Sequence, residues 1–426
     1  MKRLAFFCVV MMFSVGCDQT SATDQFEGPI ASREDVLGPG ITELWCNYLA
    51  DPLWSERDAY DAAHMLMIPL EYSYAFDNPT LKGCFADYVD RLEKAVKADK
   101  VDLGRLNWLQ HLHLVARYLV LEDDVDAAGW VLDEFNRYWS AEPAWLWGRE
   151  PFAGISERIE WKLATTNDVL ERSYYNVIFD EDYFAMTLGL DLYGLFSRAG
   201  KLGECGLGCA QAKEFFLRVF TERVEWQGDG WLIDVGRWDD HRDFAYSRYY
   251  RQPVSMDGEP LPPQPLEDAV IDSSHAHRYP SWLRSAELSI GKETGLILRL
   301  QDGLVHQFLS EVLAPNQGTI PLLNNYMDGH NGWFRWKYAS HKGVLQGYGP
   351  YGLSGTFAFG WWALLGDERV SYQYERLIDS FPLSSSELSV YSDTSTRRRH
   401  PLVETRWSNG MMESLAQMSA RISEKF

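Results

Sequence analysis

The chain has 426 residues, 46% of them hydrophobic and 14% aromatic, and a formal net charge of −21. That is enough apolar material for a sizeable core, and the negative field repels polyanions, which excludes nucleic acid as a natural partner. Screening over about 10 Å lets a local arginine cluster still hold a carboxylate, so the charge weakens the case for an acidic polysaccharide without excluding it.

Lys2 and Arg3 precede an apolar run from Leu4 to Val15 that ends at Gly16-Cys17. This is the pattern of a secretory signal, and the run is too short to span a bilayer. The small residue before Cys17 resembles the lipobox of bacterial lipoproteins, in which the cysteine is lipidated and becomes the mature N-terminus. An exported lipoprotein, periplasmic or at the cell surface and held to the membrane by that lipid alone, is the expectation. Ser14 departs from the branched aliphatic residue usual in the motif and leaves simple cleavage and secretion as the alternative. The chain thus divides into a signal at 1–16, a polar tether at 17–38 and one domain over 39–426. In an exported protein Cys46 can pair with Cys84, and Cys205 with Cys209, each being closest in sequence. Cys205 and Cys209 read as half of a metal site lack a second pair to complete it.

Apolar spacing predicts helices over 58–76, 81–97, 104–121, 124–140, 155–165, 181–199 and 209–224. Beyond a long Pro-rich loop at 251–271, further helices are predicted over 280–292, 293–313, 355–365, 368–380 and 409–424. Pro69 should kink its helix. Strand-like alternation is scarce and the breaks are mostly Gly, Pro, Asn or Asp, so the expected class is all-α, assembled from helical hairpins. No fixed-period repeat is present, which argues against a solenoid. Tryptophans and tyrosines near helix ends suit a closed α/α toroid with a cleft formed by loops at one end.

Over Ala59 to Phe381 this pattern resembles the six-hairpin α/α toroids of carbohydrate-active enzymes, which include glycoside hydrolases, polysaccharide lyases and epimerases. Four pieces carry the most specific likeness: Asp272-Ser-Ser-His275, Leu298-Arg-Leu300, Asn325-Tyr-Met-Asp-Gly329 and Gly360-Trp-Trp362. In that order they are similar to a bacterial toroid family. The resemblance implies a sugar-cleaving or sugar-modifying role and a cleft near Asp272, His275, Asn325 and Asp328. No cofactor is expected. Gly347-Tyr-Gly-Pro-Tyr-Gly352 matches the dinucleotide fingerprint G-x-G-x-x-G but lacks the preceding buried strand, so it reads as a Gly/Tyr turn.

Asp272 lies before two serines, and Pro280 opens the next helix, so the segment between is a turn feeding a helix N-terminus. A histidine held by a carboxylate can move protons near neutral pH, which makes His275 a catalytic candidate. Its structural alternative is a buried histidine tying the loop to a neighbouring helix. An extended backbone would put His275 and His277 on one face and permit a metal with Asp272, but no further ligand completes the set. Asn324, Asn325, Tyr326, His330 and Asn331 surround the turn at Asp328-Gly329. Elimination from a uronate needs a group that neutralises the carboxylate, a base and an acid; Asn325, His275 or His330, and Tyr348 or Tyr351 can fill these roles. The alternative is a polar loop whose amides bond to backbone.

Hydrolysis would instead need two carboxyl groups, about 5 Å apart for retention and about 6.5 to 9.5 Å for inversion. Asp239, Asp240, Asp272 and Asp328 are available, with Asp240 better suited to a solvated loop. Indole packs on the C–H faces of sugars, and Trp226, Trp231, Trp238, Trp333 and Trp336 stand beside these polar segments, although each singly fits a core as well. Trp361 and Trp362 should divide between core and cleft floor. The expected catalytic set is therefore Asp272, His275, Asn325, Asp328, His330 and Tyr348. The expected contacts to an oligo- or polysaccharide are Trp231, Trp238, Asp239, Arg278, Asn324, Trp333 and Tyr351. A non-catalytic glycan-binding or protein-scaffolding lipoprotein is the competing class.

Overall fold

The computed structural model describes residues 37, 39–55, 59–146, 151–241, 247–250, 267–291, 295–315, 318–333, 349–392 and 410–426, with backbone alone at 39, 55, 167, 247–250, 332, 333 and 392. In chain order the helices are α1 (Pro39–Ala50), α2 (Ala59–Ala75), α3 (Pro79–Lys97), α4 (Arg105–Glu122), α5 (Gly129–Asn136), α6 (Ile155–Ala164), α7 (Asp180–Arg198) and α8 (Leu202–Glu222). The strands β1 (Val224–Gln227), β2 (Gly230–Ile233) and β3 (Ser247–Tyr250) follow. Then come α9 (Ser273–Ala276), α10 (Tyr279–Ile290), α11 (Gly295–Gln307), β4 (Asn331–Trp333), α12 (Glu368–Asp379), α13 (Ser385–Ser392) and α14 (Met412–Ile422). The protein is mostly helical, as an all-α class requires, with two antiparallel strand pairs, β1 with β2 and β3 with β4. Residues 38–426 cluster as one compact unit.

Two kinds of helix recur. Along α2, α4 and α7 nearly every position from the second turn onward is buried, so these helices are enclosed on all sides. By contrast α3 buries one stripe, Leu81, Phe85, Tyr88, Val89, Leu92 and Ala95, and α12 likewise buries Val370, Tyr374 and Leu377. Packing partners follow the same division. The enclosed helix α2 packs on α4, α4 on α7, α7 on α10, α10 on the 3-10 turn Trp361–Leu365, that turn on α14, and α14 back on α2. A second helix lies against most of these: α3 on α2, α5 on α4, α8 on α7, α11 on α10 and α12 on α14. Close approach is written into α7 by glycine. A Cβ at Gly189 would stand 2.5 Å from the Ala212 Cβ of α8, and one at Gly194 would stand 2.6 Å from the Ser289 Cα of α10.

Local chemistry sets the helix starts. The Asn78 side chain accepts from Leu81 N at 3.0 Å with Pro79 in the first turn of α3, and Asp367 caps α12 through Arg369 N at 2.8 Å. Asp180, Glu181 and Asp182 open α7, where acidic side chains complement the positive end of the helix. The Cys46–Cys84 disulfide ties α1 to α3, and Cys205–Cys209 closes within α8, as sequence proximity predicts.

Several expected elements differ in detail. The 355–365 stretch is two 3-10 turns, Ser354–Phe359 and Trp361–Leu365, because Gly360 at φ 86° and Gly366 at φ 67° end each before an α-helix can propagate. Helix α8 is kinked at Gly206 (φ 72°, ψ −171°), so a short turn from Leu202 precedes the part that runs on to Glu222, which starts close to the predicted 209. Residues 137–141 and 308–312 finish their helices as π-turns. α1 and α13 had no predicted counterpart, nor did the hairpin of β1 and β2, which turns at Gly228-Asp229 with Gly228 at φ 62°. α2 continues as one helix past Pro69. Within the dinucleotide-like stretch, Gly352 N bonds back to Gly349 O at 2.9 Å, making a turn that leads into 3-10 structure. Cys17, the signal and tether up to residue 36, and the Pro-rich stretch 251–266 lie outside the described residues. Among the described residues no helix is long and apolar enough to cross a membrane.

Candidate active site

Arg278, the residue before α10, gathers side chains from two elements far away in the chain. Its Nη1 donates to Asp180 Oδ2 at 2.6 Å, its Nε to His64 Nε2 at 3.0 Å and its Nη2 to the Tyr60 hydroxyl. Tyr60 and His64 lie in the first turns of α2, and Asp180 is the first residue of α7. The starts of α2, α7 and α10 therefore meet at one end. The start of α4 joins them, because Arg105 Nη2 stands 3.1 Å from Glu181, the neighbour of Asp180.

His275 completes the group. Asp272 is fully buried and caps α9, accepting from Ser274 N at 3.0 Å and His275 N at 3.2 Å, while its other oxygen meets His275 Nδ1 at 2.5 Å. This bond fixes the ring, with the proton on Nδ1 and Nε2 turned towards Asp180 Oδ2, 3.8 Å away. Asp180 and His275 keep 14% and 19% of their side-chain surface, whereas Asp272 keeps none, so the first two are the groups a ligand can reach.

Beneath them lies a neutral aromatic floor. His64 is ringed by Tyr60, His277, Phe359 and Trp361, with centroids 4.7 to 5.5 Å away, and Trp361 Nε1 donates to His64 O at 2.8 Å. Since His64 Nε2 accepts from Arg278, its proton sits on Nδ1, 2.9 Å from Tyr60 O and 2.6 Å from the Gln110 side-chain amide, whose oxygen must then be the atom that faces it. Burial, then the neighbouring His277, pushes His64 well below the ordinary imidazole value. Burial likewise brings His277 down to about 3 and His111 to about 4.

These histidines make stability depend on pH. Below the ordinary value of 6.5 the unfolded chain binds protons that the folded chain refuses, so stability falls as pH drops from 6.5 towards 4. Each such group contributes about 1.4 kcal/mol per pH unit within that window. We expect the urea midpoint at about pH 5 to lie clearly below that at about pH 7. Equal midpoints would show that the imidazoles are protonated in the fold.

Other expected residues take different places. Asn325 is fully buried, its Nδ2 donating to Gly349 O at 2.8 Å and its Oδ1 accepting from Leu353 N at 3.3 Å, bonds that hold the loop. The strand bridge between Asp272 and Tyr326, with Ser273 N donating to Asn325 O at 3.0 Å, does bring the 270s, 320s and 349–353 stretches together. Asn324 Nδ2 donates to Glu311 O at 2.7 Å. Trp231 is a core residue: it is fully buried, bonds Leu300 O at 2.8 Å and packs on Phe220 and Tyr279. Trp361 and Trp362 are both fully buried.

Trp238 is 7% exposed and edge-on to His241, and Asp239 accepts from Asp268 N at 3.0 Å and Ala269 N at 2.7 Å, so both brace a loop. Tyr351 is buried at φ 60°, its N–H bonded to Asn331 Oδ1 at 3.0 Å. Asp328 and His330 do form a pair, 2.7 Å apart. Asp328 lines a separate polar cleft of about 370 Å³ with Asp229, His306, Gln307 and Glu311, which shares no residue with the Arg278 group. Tyr348 and the Trp333 and Trp336 side chains lie outside the described residues. Among those described, no three His, Cys, Asp or Glu groups are placed to hold a metal ion; His277 Nδ1 is engaged by Ser274 O at 2.6 Å, and Asp272 and His275 hold each other.

Tyr60, His64 and Asp180 carried no signal within any local motif. What they share is position: Tyr60 and Asp180 lie in or beside the first turn of a predicted helix, and His64 lies one turn beyond Tyr60. No protein family matches the chain, and comparison with curated proteins and with solved structures finds no match.

Proposed function

We propose that this chain is an exported, lipid-anchored α/α toroid that cleaves glycosidic bonds of an extracytoplasmic oligo- or polysaccharide. The observation that carries the reading is the convergence of Tyr60, Asp180, His275 and Arg278 from the same ends of α2, α7 and α10. The closed succession of packing partners, with enclosed helices each bearing a one-faced helix, supports the toroid. Two disulfides and the N-terminal signal pattern support export.

Glycoside cleavage needs a group that takes a proton and a group that delivers one to the leaving oxygen. His275, its Nδ1 tied to Asp272, offers a basic Nε2; Asp180 and Tyr60 lie on either side of the Arg278 guanidinium. Elimination fits this set: a base removes the proton beside the uronate carboxylate, the C–O bond breaks, and an acid protonates the departing oxygen. The described carboxylates favour this reading. Asp272 is fully buried, Asp239 and Asp240 accept from backbone amides, Asp328 lines another cleft and Glu181 is held by Arg105 and Arg158, so none of them is placed as a partner to Asp180 across a scissile bond. Hydrolysis is the second reading, supported by a net charge of −21 that suits a neutral glycan.

Incubation with neutral and uronate-containing polysaccharides separates them. New reducing ends with ultraviolet absorbance from an unsaturated uronate mark elimination, and reducing ends without it mark hydrolysis. Binding without new ends, or no binding at all, would remove the enzymatic reading.

A further inference from the structure

We propose that the cleft at the start of α4, walled by Arg105, Trp145, Leu146, Arg158, Phe179 and Glu181, is a subsite for a neutral sugar residue next to the cleaved bond. The proposal rests on the glycan-cleaving reading above and names where the chain of sugars continues.

The cleft measures about 260 Å³. It adjoins the candidate active site through the chain itself, since Glu181 follows Asp180 in the first turn of α7 and Arg105 begins α4. Trp145 is 57% exposed, and among the described residues no other tryptophan side chain is as open to solvent. An indole left in water gains the fold nothing; next to a polar cleft it offers a flat face for the C–H surface of a sugar.

The backbone that carries the indole is held in place. Arg158, 1% exposed, donates from Nη1 to the Trp145 carbonyl at 3.1 Å and is itself fixed by Asp182 at 2.7 Å and Glu181 at 2.8 Å. One residue back, Ala144 and Phe152 exchange backbone hydrogen bonds of 3.0 and 2.8 Å that close the base of the loop. Arg105 is anchored in turn, with Nη1 on Pro143 O at 2.8 Å and Nη2 3.1 Å from Glu181. A buried scaffold thus presents an exposed ring, the arrangement that lowers the ordering cost of binding.

Charge decides the sugar. Arg105, Arg158 and Lys162 face Glu142, Glu181 and Asp182, three cations against three anions, so among the described residues the walls offer hydrogen-bond donors and acceptors with no surplus charge for a uronate. A neutral pyranose stacked on Trp145, its hydroxyls towards Arg105 and Glu181, fits that lining.

The test compares wild type with Trp145→Ala and Trp145→Phe on a ladder of oligosaccharides from dimer to hexamer, drawn from whichever polysaccharide is cleaved. Wild type should gain kcat/KM as the ladder lengthens into the subsite; Trp145→Ala should lose about tenfold of that gain, through KM, and Trp145→Phe should keep most of it. The same length dependence in wild type and Trp145→Ala would overturn the subsite while leaving the cleavage reading intact. If no glycan is cleaved, calorimetric binding of the neutral hexamers still decides: weaker binding by Trp145→Ala supports the subsite, and equal binding or none overturns it.

Discussion

Replacing Asp180 with Asn, or His275 with Ala, should lower turnover of the cleaved glycan by about a hundred- to ten-thousand-fold, the usual worth of a positioned acid or base. Neither change enlarges a deep cavity, because both side chains reach solvent, and far-ultraviolet circular dichroism should remain native. The Asp180 variant retains the bonds of Arg278 to His64 and Tyr60, so the loss reports chemistry rather than collapse of the cluster. Asp328→Ala is the informative contrast. Asp328 is paired with His330 in the other cleft, and its variant should turn over near the wild-type rate. Full activity in both the Asp180 and the His275 variants, or loss in the Asp328 variant alone, would move the active site to the cleft of Asp229 and His306.

The largest stability effect should come from the middle of the enclosed helices. Glu71 of α2 and Arg117 of α4 form an ion pair with 1% and 0% of their side chains exposed, and Arg117 also donates to Ser281 O at 3.0 Å and Ser285 Oγ at 2.7 Å in α10. Ser285 passes the network to Asp191 of α7 at 2.9 Å, which faces His113 at 3.4 Å. Four helices are thus joined through groups that water cannot reach. Glu71→Leu alone leaves a buried guanidinium without its counter-charge and should cost about 3 to 5 kcal/mol in urea unfolding. Adding Arg117→Met to that variant should restore part of the loss, since no guanidinium is then buried without Glu71, while the buried Asp191 keeps its bonds from Ser285 and Ser289. A single variant within about 1 kcal/mol of wild type would mean that the pair is hydrated, contrary to its burial.

How far the sequence is legible follows from what each feature depends on. The predicted 104–121 falls one residue early of α4 at either end and 155–165 runs one residue past α6, because apolar periodicity is a local property that survives into the fold. The 355–365 stretch looks helical by the same criterion and fails because two left-handed glycines interrupt it, which periodicity does not register. Asp272 and His275 were legible as a pair because they are three residues apart, and the cap at α9 makes them touch. Arg278 stands among the residues expected to contact a glycan. Its partners are not legible in the sequence, since Tyr60 lies 218 positions away and Asp180 98, and only the packing of α2, α7 and α10 brings them together. Asn325 and Trp231 read as sugar contacts by composition, and the bonds of Asn325 to Gly349 O and Leu353 N and of Trp231 to Leu300 O depend on packing between distant stretches that composition does not register.

The crystal structure of the Asp180→Asn variant with an oligosaccharide that wild type cleaves tests the central claim most directly. The account predicts a sugar ring within about 3 Å hydrogen-bond reach of Tyr60, His275 and position 180, with the next ring over Trp145 at the start of α4. A sugar ordered against Asp229, His306 and Asp328, with none beside His275, would contradict it.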